Sequence, residues 1–97
     1  MTRPAIHPGE ILGDELLELG VTATELARQV KVPANRITQI VKGKRGITGD
    51  TALRLGHWFG TSPLFWLNLQ SSYDLRMAEV EAGKVIQKLP RRVAVAA

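Results

Sequence analysis

The stretch from Val32 to Lys42 (Val-Pro-Ala-Asn-Arg-Ile-Thr-Gln-Ile-Val-Lys) has two unlike faces, and that pattern constrains the chain more than any other feature. Ile37, Ile40 and Val41 recur at i, i+3 and i+4, which at about 100° per residue puts them on one apolar stripe of a helix. That stripe has to be buried. Asn35 and Gln39, one turn apart, point away from it, flanked by Arg36, Thr38 and Lys42 with no acid among them. Upstream, Thr22-Ala23-Thr24-Glu25 has the form of a capping box, opening a short helix with Leu26, Ala27 and Val30 inward and an end near Lys31. Pro33 suits the first turn of the next helix, where its missing N–H would have no helical partner. Ala27 is small where the two helices cross, and Ile37 and Ile40 follow it at the spacing that brings them back onto the earlier helix. Two helices joined by about three residues make a helix-turn-helix.

The flanking sequence supplies three more helices. Pro8 and Glu10 favour a helix start, and Ile11, Leu12, Leu16 and Leu19 form a stripe that ends at Gly20. His7, just before it, reads as a capping or packing histidine. Gly43 terminates the Asn35-bearing helix, and Lys44-Arg45-Gly46 forms a basic loop. Thr48 caps a fourth helix with Ala52, Leu55 and Phe59 inward, ending at Gly60; Trp58 reads as core and His57 as surface. Ser62-Pro63 starts a fifth, whose apolar residues go most of the way round and so call for burial on two sides, the second against another subunit. The helices are expected at about 8–19, 23–30, 33–42, 49–59 and 63–82. This describes one all-α domain over residues 1–83, entered by an extended arm at residues 1–6, with a tail at 84–97 that shows no helical period.

Charge is segregated along the chain. Residues 1–25 carry one base (Arg3) and five acids, whereas residues 26–49 carry six bases (Arg28, Lys31, Arg36, Lys42, Lys44, Arg45) and no acid. The net charge of +4 is therefore concentrated in a positive field beside the helix-turn-helix, as a polyanion partner requires. The absence of cysteine removes disulfides, thiolate metal sites and thiol nucleophiles. Two distant histidines and scattered acids form no convergent catalytic or metal-binding set, so neither an enzyme nor a cofactor is expected. No apolar run approaches the ~20 residues of a membrane span and no signal-peptide profile opens the chain, which sets the expectation of a cytoplasmic protein.

Thr22 to Lys42 resembles the helix-turn-helix of the lambda-repressor, or XRE, class. The blocks His7-Pro8-Gly9-Glu10-Ile11-Leu12, Gly43-Lys44-Arg45-Gly46-Ile47-Thr48, Asp50-Thr51-Ala52-Leu53-Arg54-Leu55 and Gly60-Thr61-Ser62-Pro63, with Phe65-Trp66-Leu67-Asn68-Leu69-Gln70 and Tyr73-Asp74-Leu75, resemble the HigA or VapI type of antitoxin over roughly residues 3–77. The resemblance implies a five-helix homodimer that binds an operator in its own promoter and neutralises a HigB-type, RelE-like RNA-cleaving toxin. A regulator of the same class with no toxin partner is the alternative. The chain departs from the family pattern at Ala23, where glutamine is common, at Lys31, where glycine is usual, and at Pro33, where serine caps the helix. A lysine in a left-handed turn would cost ~1–2 kcal/mol.

On this reading Ala34, Asn35, Thr38 and Gln39 face base edges. Thr24, Arg36, Lys42, Lys44, Arg45 and Thr48 meet phosphates, and Phe65, Trp66, Leu69 and Tyr73 form the dimer interface on helix 5. The partners expected are an inverted-repeat duplex operator, a second copy and a toxin that meets the acidic outer face of helix 1 or the tail.

Overall fold

A computed structural model describes residues 5–92 of the 97-residue chain. The described residues form five helices and no strand: α1 Pro8–Leu19, α2 Ala23–Val30, α3 Ala34–Val41, α4 Gly49–Phe59 and α5 Pro63–Gln87. The expectations for Met1 to Pro4 of the arm and for residues 93–97 of the tail lie outside the described residues. No described helix is long and apolar enough to cross a membrane.

The helix ends follow local chemistry. At α1, the His7 Nδ1 accepts from the Gly9 N–H at 2.8 Å while the Glu10 carboxylate accepts from the His7 N–H at 3.2 Å, a reciprocal cap. The box expected at α2 is only half made. The Thr22 hydroxyl accepts from the Glu25 N–H at 3.1 Å, but the Glu25 carboxylate turns to Arg28 and Gln29, whose charged and amide donors outcompete the Thr22 backbone. Lys31 ends α2 in the left-handed region, at φ 59 and ψ 51. Pro33 precedes α3 as an extended residue with no side-chain cap, so the helix begins at Ala34. Gly43, at φ 75, closes α3 with paired bonds from its own N–H to the Ile40 carbonyl and from the Lys44 N–H to the Gln39 carbonyl.

The core draws on every helix: Leu12 and Leu16 from α1, Leu26, Ala27 and Val30 from α2, Ile37 and Ile40 from α3, Ala52 and Leu55 from α4, Trp66 from α5, with Ile47 from the loop. Leu19, expected inward, is exposed, because α1 ends at Gly20 and the chain turns there, leaving Val21 to pack against the core instead. The end of α5 also differs from expectation. Lys84 to Gln87, assigned to the tail for want of a period, are its last helical turn. A helix already nucleated adds residues at little cost and needs no packed face to do so, and Pro90 supplies the stop by disfavouring helix at Leu89.

Candidate nucleic-acid interface

α3 separates its faces as its sequence demands. Ile37 and Ile40 are fully buried against α1 and α2, whereas Ala34 and Asn35 are exposed and Thr38 and Gln39 half-buried. The Thr38 hydroxyl donates to the Ala34 carbonyl at 3.2 Å, so its proton is used inside the helix. Among the described residues neither the Asn35 nor the Gln39 carboxamide is hydrogen-bonded to another group. Both keep a donor and an acceptor available, one turn apart on one face.

Arg36 is held differently from its neighbours. Its Nη1 donates to Asp50 Oδ2 at 3.1 Å, and the same oxygen accepts from Arg54 Nε at 3.0 Å. Arg54 then reaches across to α2, where its Nη1 donates to the Val30 carbonyl at 2.7 Å. One carboxylate and two guanidinium groups thus link α3, α4 and the C-terminal end of α2, whose last carbonyls have no helical partner and welcome a cation. The Arg54 hydrogen bond and the charges of Arg54 and Arg36 hold the Asp50 carboxyl below the usual aspartate range. This network was not anticipated from the sequence, although Asp50 and Arg54 stand at the i, i+4 spacing that permits it.

Arg36, Arg45, Gly46, Thr48, Asp50 and Thr51 line one open cleft of about 250 Å3 at the start of α4. Three of the six expected phosphate residues, Arg36, Arg45 and Thr48, are therefore brought together; Thr24, Lys42 and Lys44 are exposed outside that lining. Thr48 also caps α4, its hydroxyl oxygen accepting from the Thr51 N–H at 3.5 Å. The loop before it is pinned from α5, where Gln70 Oε1 accepts from the Ile47 N–H at 2.7 Å. Nothing local in the sequence points from Gln70 to a loop more than twenty residues earlier.

The four α5 residues expected at a dimer interface are placed unequally. Trp66 is 1% exposed, so it closes the protomer's own core and has no surface for a second copy. The reason is size: in a core of short aliphatic side chains, the indole is the group that fills the space between α4 and α5, with Phe59 at 5.2 Å centroid separation. Leu69 packs partly on the core, and Tyr73 lies edge-on to the His7 ring at 4.8 Å. Phe65, 45% exposed, keeps a large apolar surface, as do Leu64, Leu75 and Val80 along the same helix.

Comparison with known proteins gives a consistent picture. The helix-turn-helix family model (HTH_3) matches residues 12–66. Virulence-associated protein I of Dichelobacter nodosus is 54% identical over 83 residues, covering 84% of this chain and 77% of that protein. The HigA-family addiction module antidote protein of Coxiella burnetii superposes with a TM-score of 0.88 at 49% identity, covering 97% of this chain and all of that one. The antitoxin HigA of Pseudomonas aeruginosa, solved with the higBA promoter, gives 0.89 at 46% identity over 94% of this chain and all of its own.

Proposed function

The chain belongs to the helix-turn-helix family that includes the HigA-type antitoxins, and from that membership we propose that it is a dimeric antitoxin that represses its own operon and neutralises a RelE-like, RNA-cleaving toxin. One observation carries the DNA-binding part. α3 buries Ile37 and Ile40 completely and presents Asn35 and Gln39, without partners of their own, beside a loop of three cations in a segment free of acid. The Pseudomonas aeruginosa relative was solved with promoter DNA, which supports DNA binding by this chain.

In the proposed mode α3 lies in the major groove with its N-terminal half towards the bases, and α2 and α4 approach the backbone on either side. Asn35 and Gln39 pair with adenine edges, each contact worth roughly 1–3 kcal/mol of discrimination, while Ala34 and the Thr38 methyl meet thymine methyls. Arg45, Lys44, Lys42, Thr24 and Thr48 meet phosphates, which fix register without reading sequence. Arg36, tethered to Asp50, contributes its charge from a fixed place on the cleft wall. A two-fold dimer spaces the two copies of α3 by about 34 Å, one turn of DNA, and so reads an inverted repeat.

The deciding experiment is a mobility-shift titration against the upstream promoter, paired with co-purification of the product of the neighbouring reading frame. Salt-sensitive, sequence-selective binding and recovery of a small basic partner are expected. Operator binding with no such partner would leave a regulator without a toxin, and absence of salt-dependent DNA binding would overturn the proposal.

A further inference from the structure

We infer that Gln70, on α5, is a positioning residue for the phosphate contacts of the α3–α4 loop. This rests on the DNA-binding reading above. The loop crosses from Gly43 to Thr48 with no helix to satisfy its backbone, and the Ile47 N–H is partly buried and needs an acceptor. Gln70 Oε1 supplies it at 2.7 Å. The other end of the same amide donates from Nε2 to Asp74 Oδ1 at 2.9 Å, one helical turn on. The two bonds together fix the amide's orientation, since a flipped amide would lose both.

Gly46 lies flat on this amide. A Cβ there would stand 3.1 Å from the Cδ, Nε2 and Oε1 atoms of Gln70, closer than an ordinary contact, and the bond to Asp74 restrains the side chain from giving way. The Ile47 side chain, 4% exposed, anchors the opposite side of the strand of loop in the core. The chain between Arg45 and Thr48, which line the cleft with Arg36, is thereby clamped between a buried isoleucine and a fixed carboxamide. A phosphate contact needs its donors already in place when DNA arrives; otherwise part of the binding energy is spent ordering the loop.

Four variants and two readouts test this. Gln70→Leu removes both bonds. Gln70→Glu keeps an acceptor for Ile47 but sets a second carboxylate against Asp74. The double variant Gln70→Glu with Asp74→Asn restores both bonds, the one between the two side chains with donor and acceptor exchanged. In the free protein, the Ile47 amide should exchange with solvent faster in Gln70→Leu and regain wild-type protection in the double variant. On promoter DNA, Gln70→Leu should bind about tenfold more weakly, with a log K against log salt slope shallower by about one to two phosphate equivalents per dimer, and the double variant should recover both. If Gln70→Leu does not fold, Asp74→Ala, at an exposed position, should move both readouts the same way by less. Wild-type protein that binds the promoter alongside a Gln70→Leu variant of unchanged slope would overturn the inference and leave the DNA-binding reading standing. Wild-type protein that fails to bind at all would overturn the reading itself.

Discussion

Lys31 is the one non-glycine residue with positive φ among those described, and it stands at the turn of the helix-turn-helix. Its backbone still makes the bonds the turn requires, with the Val32 N–H donating to the Ala27 carbonyl at 3.0 Å, so the left-handed cost is borne without a change of geometry. Lys31→Gly removes that cost but frees the unfolded chain; the balance is a gain of about 0.5–1 kcal/mol, read as a higher urea midpoint, and an unchanged or lower midpoint would contradict it. At Asp50 the pH argument has a definite sign. Its folded carboxyl titrates below the usual range, so the stability it contributes is fully present at neutral pH and is lost as pH falls through the folded value. Asp50→Asn should therefore flatten the acid limb of the stability curve, and a limb of unchanged steepness would remove Asp50 from that account. On the DNA face, Gln39→Ala should relax selectivity at one base pair of each half-site, whereas Lys44→Ala should weaken all sequences alike and shorten the salt slope. Indistinguishable titrations for the two would sink the division between reading and positioning.

Between elements, α1 meets the end of α3 at a close backbone approach. A Cβ on Gly9 would fall 1.7 Å from the Ile40 carbonyl oxygen, so the two backbones meet with nothing between them. Gly9→Ala must push the helices apart, and a loss at or above the ~1–3 kcal/mol typical of overpacking is expected in chemical denaturation. The displaced element includes the C-terminal turn of α3, so promoter affinity should fall as well. A variant as stable as the wild type would show that α1 can shift without disturbing the recognition helix. This contact also explains why the sequence could fix α1 as a helix, from Pro8, Glu10 and the Leu12–Leu16 stripe, but not its depth. A glycine in a first turn is compatible with many neighbours, and only the packing shows which backbone it admits.

The molecule is drawn out to 54 × 27 × 23 Å, and α5 sets the long axis: its 25 residues span about 37 Å at ~1.5 Å per residue. Trp66 fastens its first half to the core, and beyond Tyr73 the exposed side chains include Leu75, Val80, Val85 and Ile86. A small domain gains little from leaving such a surface in water, which is the physical case for a second copy here. Phe65→Lys should yield a folded monomer in sedimentation at micromolar concentration. Its affinity for a full inverted repeat should drop towards that for a half-site. A dimer that survives this change, with operator affinity intact, would place the interface elsewhere.

The sequence by itself determined the five helices, their order, the buried stripe of α3 and the two carboxamides opposite it, because caps, glycine stops and a 3.6-residue period act within a few residues of one another. Asp50–Arg54 and Gln70–Asp74 were visible only as i, i+4 pairs. That one carboxylate would also take Arg36, that Arg54 would cap α2, that Trp66 would turn inward and that Gln70 would hold Ile47 depended on which helix faces which. Those decisions belong to packing between residues distant in the chain, where a side chain's partner is whatever the fold delivers to it.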